Sequence, residues 1–187
     1  MNRLISIIFA AVLLTTIAVQ AADPNEKTVF IARATFDSNL GGLTGADAKC
    51  QAEADDPASI VPSGTYLPWL SDGLDSPDTR FTRSTHPYVR PDGKKIAENY
   101  TDLTDGTILV AISIDATGKT GVYDQYWTGT KADGTSLQNK NTCNGWESVP
   151  PEPVYGMTGQ TSKKTSSWTS YRGYYCRRAY RLVCFQQ

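Results

Sequence analysis

Apolar and polar positions along this chain predict several short strands. Thr28 to Thr35 is a β-branched, apolar run that favours an early strand, ended by the turn around Asp37. Ile108 to Ile114 is the most apolar run beyond the first 21 residues and predicts a buried strand, and Val122 to Thr128 predicts another. Ala179 to Phe185 predicts a last strand with apolar residues on both faces, which is typical of a central strand.

One helix is predicted near the start of the chain. Thr44 is placed to cap it, and Asp47 follows three residues later, as in a capping box. Leu43, Ala46 and Cys50 then recur at helical spacing, which directs Cys50 into the core. With few helices and several short strands, the pattern predicts a mixed α+β domain.

The first residues have the pattern of an export signal. Arg3 precedes an uncharged apolar stretch from Leu4 to Val19, and small residues surround Ala21. A membrane anchor is the alternative, but a spanning helix needs ~20 apolar residues and is usually followed by basic ones. Here Asp23 and Glu26 follow. We therefore predict a signal peptide at residues 1–21 and a secreted mature chain with no membrane span.

The rest of the chain, residues 22–187, is predicted to form a single domain. Its 166 residues lie within the usual ~100 to 200 for one domain, and turn-forming residues are spread along it without marking a boundary. Arg3 is the only charged residue among the first 21, so the remainder has 17 basic and 19 acidic side chains and a net charge of −2. This charge argues against a nucleic-acid partner, which selects for a strongly basic surface.

Four cysteines, all beyond residue 21, predict two disulfides. An even number of cysteines in an exported chain is typical of disulfide bonding, and four cysteines allow three pairings. A zinc site is the alternative, but it needs closely spaced ligand pairs. The chain has no Cys-x-x-Cys motif and one histidine, His86.

Seven short segments follow one another along the chain. They are Val29-Phe30, Leu40 to Cys50, Trp69-Leu70-Ser71-Asp72, Leu103-Thr104-Asp105-Gly106, Trp127-Thr128-Gly129-Thr130, Cys143-Asn144-Gly145-Trp146 and Arg181 to Phe185. Together these segments resemble a bacterial secreted domain family of uncharacterised function that is related by fold to endostatin and the C-type-lectin-like domains. The resemblance spans about residues 28–187.

This resemblance implies a single C-type-lectin-like, endostatin-like domain with long loops. It also implies one of the three disulfide pairings, Cys50 with Cys184 and Cys143 with Cys176. Residues 130–176 are the expected region of displayed loops, which carry binding when a rigid scaffold holds them. Adhesion to a matrix glycoprotein is the function that the resemblance implies.

The sequence predicts no metal site and no cofactor. C-type lectins that bind calcium use Glu-Pro-Asn or Gln-Pro-Asp together with Trp-Asn-Asp, and neither pattern occurs here. Calcium needs about six to eight oxygen ligands. Glu147 and Glu152 are isolated carboxylates, and His86 alone does not make a zinc site.

Two features are candidates for binding. Trp168 lies in a polar run that predicts a surface loop, whereas the other tryptophans are expected in the core. The stretch from Tyr171 to Arg181 interleaves four tyrosines with four arginines, Arg172, Arg177, Arg178 and Arg181. Tyrosine and arginine are enriched at binding hot spots, and guanidinium groups suit sulfate or carboxylate ligands. The alternative is that these arginines are solvated or paired with nearby carboxylates.

An enzyme is the remaining class. The chain has no Gly-x-Ser-x-Gly, His-Glu-x-x-His or glycine-rich phosphate motif, so no catalytic residue is assigned. Two carboxylates distant in sequence can still meet in space and hydrolyse a bond. We therefore expect a secreted binding module for a glycoprotein or an acidic glycan, with a small carboxylate-pair hydrolase as the alternative.

Overall fold

The computed structural model describes residues 24–121, 124–138 and 141–187, so the predicted signal peptide at residues 1–21 lies outside the described residues. The strands are β1 (Lys27–Ile31), β2 (Tyr66–Pro68), β3 (Tyr88–Val89), β4 (Lys95–Ala97), β5 (Gln125–Trp127), β6 (Tyr155–Gln160), β7 (Arg172–Tyr175) and β8 (Val183–Gln186). The α-helices are α1 (Gly42–Ala54), α2 (Pro77–Arg80) and α3 (Tyr100–Leu103). A short 3₁₀ helix spans Ser166–Trp168, and Cys143–Trp146 forms a turn whose residues have positive φ.

The larger sheet brings both ends of the described chain together. Its strand order is β2-β8-β1-β3-β4. β8 pairs antiparallel with both β1 and β2, and β1 pairs parallel with β3. The predicted central position of the last strand is confirmed, because β8 lies between β2 and β1.

The smaller sheet contains three antiparallel strands in the order β5-β6-β7. β5 occupies part of the strand predicted from Val122 to Thr128, and residues 122 and 123 lie outside the described residues. Residues 130–176, expected as displayed loops, supply β6 and β7 to this sheet, and loops connect these strands. The resulting edge strand, β7, is the part of this region that matters most for the site described below.

Side chains of β1 and β8 alternate between two hydrophobic clusters. Val29, Val183 and Phe185 pack with Trp69 in one cluster. Phe30, Leu182 and Cys184 pack with Trp127 and Trp146 in the other. The structure therefore has apolar residues on both faces of β8, as the sequence predicts for a central strand.

Helix α1 begins two residues before the predicted cap. It begins at Gly42, and the preceding Gly41 adopts a left-handed conformation with φ of 80°. Gly42 itself has φ of 67°, a left-handed conformation that favours glycine. The predicted capping box is wrong, because Thr44 lies inside the helix and the Asp47 carboxylate instead pairs with Arg80 at 2.6 Å.

The strand predicted from Ile108 to Ile114 is also wrong. All seven residues are described, and they are irregular except for an isolated bridge between Ile114 and Thr120. Ile108, Ile112 and Ile114 are buried, but the backbone bonds with scattered partners. One of these partners is the buried Arg90 guanidinium, whose Nη1 donates to the Ala111 carbonyl at 2.8 Å. The apolar run therefore fills the core without forming a regular ladder.

Two buried disulfides join distant parts of the chain. Cys50 of α1 bonds to Cys184 of β8, and Cys143 bonds to Cys176 just after β7. The structure is thus a mixed α+β domain with few helices, two sheets and the pairing that the resemblance implies. Among the described residues, no helix has the length and apolar character to cross a membrane.

A candidate binding surface of tyrosines and arginines

Trp168 is a core residue in the structure. Its side chain is fully buried, and its ring lies 4.9 Å from that of Trp69. The surface-loop prediction fails because a 3₁₀ turn exposes Ser166 while it directs Trp168 inward. The neighbouring Thr169 hydroxyl accepts a hydrogen bond of 2.8 Å from the Trp69 indole. Trp168 therefore offers no surface to a partner in this conformation.

Arg181 is directed toward the backbone of the chain's first strand region. Its Nη1 donates to the Ala32 carbonyl at 3.1 Å and also to the Arg33 carbonyl. These contacts join residues about 150 positions apart in sequence. Arg181 therefore stabilises the fold, and its replacement is not a clean test of binding.

The other three candidate arginines are exposed. Arg172 begins the edge strand β7, and Arg177 and Arg178 lie in the turn that follows it. This turn is closed by a hydrogen bond of 2.9 Å from the Arg178 amide to the Tyr175 carbonyl. The structure therefore places guanidinium groups toward both ends of one short strand.

A stacked pair of tyrosines lies beside these arginines. Tyr155 of β6 is directly opposite Tyr175 of β7, with ring centroids 4.8 Å apart and planes inclined by 26°. Arg177 lies over the Tyr175 ring at 5.6 Å, and its Nε bonds with the Glu152 carboxylate at 2.7 Å. Tyr155 remains 37% exposed, a large value for an aromatic side chain that is packed against another ring.

The neighbours of Tyr155 also affect its pKa. Hydrogen bonding with the Tyr175 side chain raises the pKa of Tyr155 above its ordinary value, with further contributions from burial and from the charge of Glu152. An ordinary tyrosine already has a pKa of about 10. Tyr155 is therefore neutral at physiological pH and adds no negative charge beside the arginines.

A second aromatic contact lies at the other end of β7, where the Arg172 guanidinium is 5.1 Å from the centre of the Tyr171 ring. We call this group of six residues, four of them exposed and two partly exposed, the tyrosine–arginine surface. It contains Tyr155, Tyr171, Arg172, Tyr175, Arg177 and Arg178. Tyr174 and Tyr180 of the same stretch instead pack against the core and contact each other with ring centroids 5.2 Å apart.

Sequence reasoning missed Tyr155. It follows the proline-rich loop at residues 150–153, and nothing in its neighbourhood marks it as a partner of Tyr175, twenty residues later. The contact depends on the pairing register of β6 and β7. Only a correct prediction of that hairpin could have found it.

A disulfide bond and a packed turn adjoin the tyrosine–arginine surface. Cys176, next to Arg177, forms its buried disulfide with Cys143, which begins a left-handed turn. Cys143, Asn144 and Trp146 all have positive φ, between 46° and 66°, a conformation that costs energy in residues other than glycine. Packing of the buried Trp146 and the disulfide bond hold this turn in place.

A cavity lies elsewhere on the molecule. Its volume is about 760 Å³, and its lining includes Asp78, Arg83, Asp102 and Asp105. Asp78 pairs with Arg83 at 2.6 Å, while Asp102 and Asp105 accept hydrogen bonds from nearby backbone amides. In the part of the chain that the structure describes, no group of three or more His, Cys, Asp or Glu side chains is arranged to hold a metal ion.

The tyrosine–arginine surface combines two kinds of chemical group. Its arginines can bond with anionic oxygens in a bidentate manner, and its tyrosines present flat apolar faces with polar rims. The molecule is thus a small disulfide-bonded α+β domain with an exposed cationic and aromatic edge.

The chain belongs to a family described as a protein of unknown function (DUF1554), whose model matches residues 33–165. No curated protein matches it. Of the tyrosine–arginine surface, only Tyr155 falls within the matched range.

Proposed function

We propose that this protein is an exported, non-enzymatic binding module and that its tyrosine–arginine surface binds an acidic extracellular ligand, either a matrix glycoprotein or an acidic glycan. One observation carries the proposal: Tyr155 of β6 stacks on Tyr175 of the edge strand β7, and three exposed arginines lie on β7 or in the turn that follows it. The net charge of the whole chain is −1, so this local cationic character is not a property of the general surface.

The two residue types supply complementary parts of such binding. Arginine forms paired hydrogen bonds with sulfate and carboxylate groups and is less strongly hydrated than lysine. Tyrosine contributes a large contact area at a small cost in conformational entropy. The Tyr155 and Tyr175 rings already restrict each other, which lowers the entropy cost further.

Glu152 is a built-in competitor for the ligand. It bonds with Arg177, but the two side chains are 38% and 63% exposed, and such a surface pair contributes about 0–1 kcal/mol. A ligand sulfate or carboxylate can therefore replace Glu152 at little cost. Replacing Glu152 with Gln should tighten binding about two- to fivefold, because it removes this competition. Unchanged or weaker binding by Glu152→Gln would contradict the assignment of Arg177 as a ligand contact.

A C-type-lectin-like, endostatin-like fold and export of residues 22–187 are part of the same proposal. The antiparallel pairing of β1 with β8 and the Cys50 to Cys184 disulfide support this fold, because both close the two ends of the domain against each other. Two disulfides also support export, since disulfides persist mainly in oxidising compartments. Mass spectrometry of the exported protein should find its N-terminus near Ala22, and an N-terminus at Met1 would contradict cleavage.

The proposed function is tested by probing an array of glycans and matrix glycoproteins with the purified protein. We expect binding to sulfated or otherwise acidic ligands, and loss of that binding as salt reduces the screening length from ~30 Å at 0.01 M to ~3 Å at 1 M. No binding anywhere on the array would contradict the proposal. Chelator-resistant turnover in a broad hydrolase screen would favour the alternative, the carboxylate-pair hydrolase.

A further inference from the structure

β7 is the last strand of the smaller sheet, so one of its edges pairs with β6 and the other faces away from the sheet. The Met157 amide donates to the Asn141 carbonyl at 2.8 Å, and the Met157 carbonyl accepts from Thr128, so Met157 faces the β5 side of β6. Alternate residues of an antiparallel strand face opposite edges. Gly156 and Thr158 therefore face β7, where their partners are Tyr174 and Arg172.

The same alternation directs Gly173 and Tyr175 outward. The Tyr175 carbonyl is occupied by the Arg178 amide, which leaves the Tyr175 amide and both backbone polar groups of Gly173 on this edge. None of these three groups has a hydrogen-bond partner among the described residues. A residue of an added antiparallel strand could exchange two hydrogen bonds with Gly173.

Gly173 makes this edge accessible to another chain. It is exposed and has no side chain of its own, and a glycine within a strand often marks a place where another backbone approaches closely. Arg172 precedes it, and Arg177 and Arg178 follow after the strand ends. The open backbone is thus bracketed by positive charge on both sides.

We propose that β7 binds an extended acidic peptide segment as an added fourth strand, with acidic side chains near both ends of that segment paired with the bracketing arginines. This inference rests on the proposed function and names the partner of the same surface. Backbone hydrogen bonds supply affinity in such strand addition, and flanking side chains supply specificity. A second copy of this chain fits the edge poorly, because antiparallel pairing of two β7 strands would bring the arginines of both copies together.

A matched pair of variants tests the hydrogen bonding directly. Gly173→Pro removes the outward amide without removing a bond to β6, and proline is tolerated on edge strands. Gly173→Ala is the control, because it keeps the amide and adds a Cβ atom that meets Asn141 Oδ1 at 3.3 Å and Tyr155 Cβ at 3.6 Å. The probe is a fluorescent octapeptide with two glutamates at each end and alternating valine and threonine between them.

We expect Gly173→Pro to bind this peptide at least about tenfold more weakly than Gly173→Ala, because both variants add carbon atoms at this position and only proline lacks the outward amide. The Gly173 amide should exchange rapidly in the free protein and slowly with the peptide bound. Failure of the peptide to bind, equal binding by the proline variant, or an unprotected Gly173 amide would overturn the strand-addition inference. A sulfated oligosaccharide run in parallel separates the two proposals, because its binding would leave the proposed function standing while the strand-addition inference fails.

Discussion

Removal of the disulfide between Cys50 and Cys184 is expected to have the largest effect on stability. The two cysteines are 134 residues apart and fully buried, and their bond joins α1 to the central strand β8. The chain-entropy relation assigns a crosslink of this separation about 5 kcal/mol at 25 °C. The disulfide between Cys143 and Cys176 spans 33 residues and is assigned about 4 kcal/mol by the same relation.

These magnitudes are large beside the stability of a typical domain, which is about 5–15 kcal/mol. The double variant Cys50→Ala/Cys184→Ala should therefore be marginally folded or unfolded at 37 °C. The variant Cys143→Ala/Cys176→Ala should retain somewhat more stability, with its main disturbance at the tyrosine–arginine surface. Urea unfolding followed by circular dichroism gives the midpoint and slope for each variant.

The outcome that would refute this reasoning is specific. A Cys50→Ala/Cys184→Ala variant whose urea midpoint equals that of the parent protein would show that the bond does not constrain the unfolded chain as calculated. A larger loss from the 33-residue disulfide than from the 134-residue one would show that native packing around Cys143 outweighs chain entropy.

Three further substitutions test individual side chains by urea unfolding. Trp168→Ala should lower the free energy of unfolding by about 3–5 kcal/mol, because it empties a fully buried site; a loss below 1 kcal/mol would contradict its place in the core. Arg181→Ala should cost about 1–3 kcal/mol by leaving backbone carbonyls without their donor, whereas the exposed Arg178→Ala should change stability by less than about 0.5 kcal/mol. The Arg90 guanidinium holds the pKa of Asp92 in the folded protein below its ordinary value of 3.8. The ionised Asp92 carboxylate therefore stabilises the fold above pH 4, and this stabilisation is lost as the pH falls through the pKa that Asp92 has in the folded protein. Asp92→Asn should therefore cost about 1–2 kcal/mol at pH 7, and its difference from the parent should shrink as the pH is lowered below 4; a difference independent of pH would contradict the Arg90 contact.

Elements with a strong local pattern could be predicted from the sequence. β8 has apolar residues at consecutive positions, which is expected of a strand whose two faces are both covered by a hydrophobic cluster. The helix containing Cys50 was predicted from a capping box and from helical spacing. Only the spacing is confirmed, because Ala46 and Cys50 are one turn apart and both reach the core. These features depend on a few adjacent residues, which is why the sequence reveals them.

Features that depend on distant partners could not be predicted. The run from Ile108 to Ile114 has strand-like composition, but its backbone bonds with scattered groups such as the Arg90 side chain. Trp168 lies in a polar sequence, and only the distant Trp69 explains why it is buried. The hairpin register that places Tyr155 against Tyr175 is likewise invisible in the local sequence.

The candidate site was only partly predicted for the same reason. Its arginine-rich stretch is visible in the sequence, but burial decides which residues are available to a ligand. Arg181 and Tyr174 are only partly exposed, because long-range contacts draw their side chains toward the fold. The surface that remains is smaller than the stretch and includes a tyrosine from another strand.

The central claim is that exposed arginines at the tyrosine–arginine surface carry binding to an acidic ligand. Its most direct test compares the affinities of two double variants for a sulfated oligosaccharide. One is Arg177→Ala/Arg178→Ala. The control is Lys163→Ala/Lys164→Ala, which removes the same amount of charge from the segment that follows the C-terminal end of β6. We expect the arginine variant to bind at least about tenfold more weakly than the parent, and the lysine variant to stay within about threefold. Equal losses in the two variants, or full affinity in the arginine variant, would contradict the account.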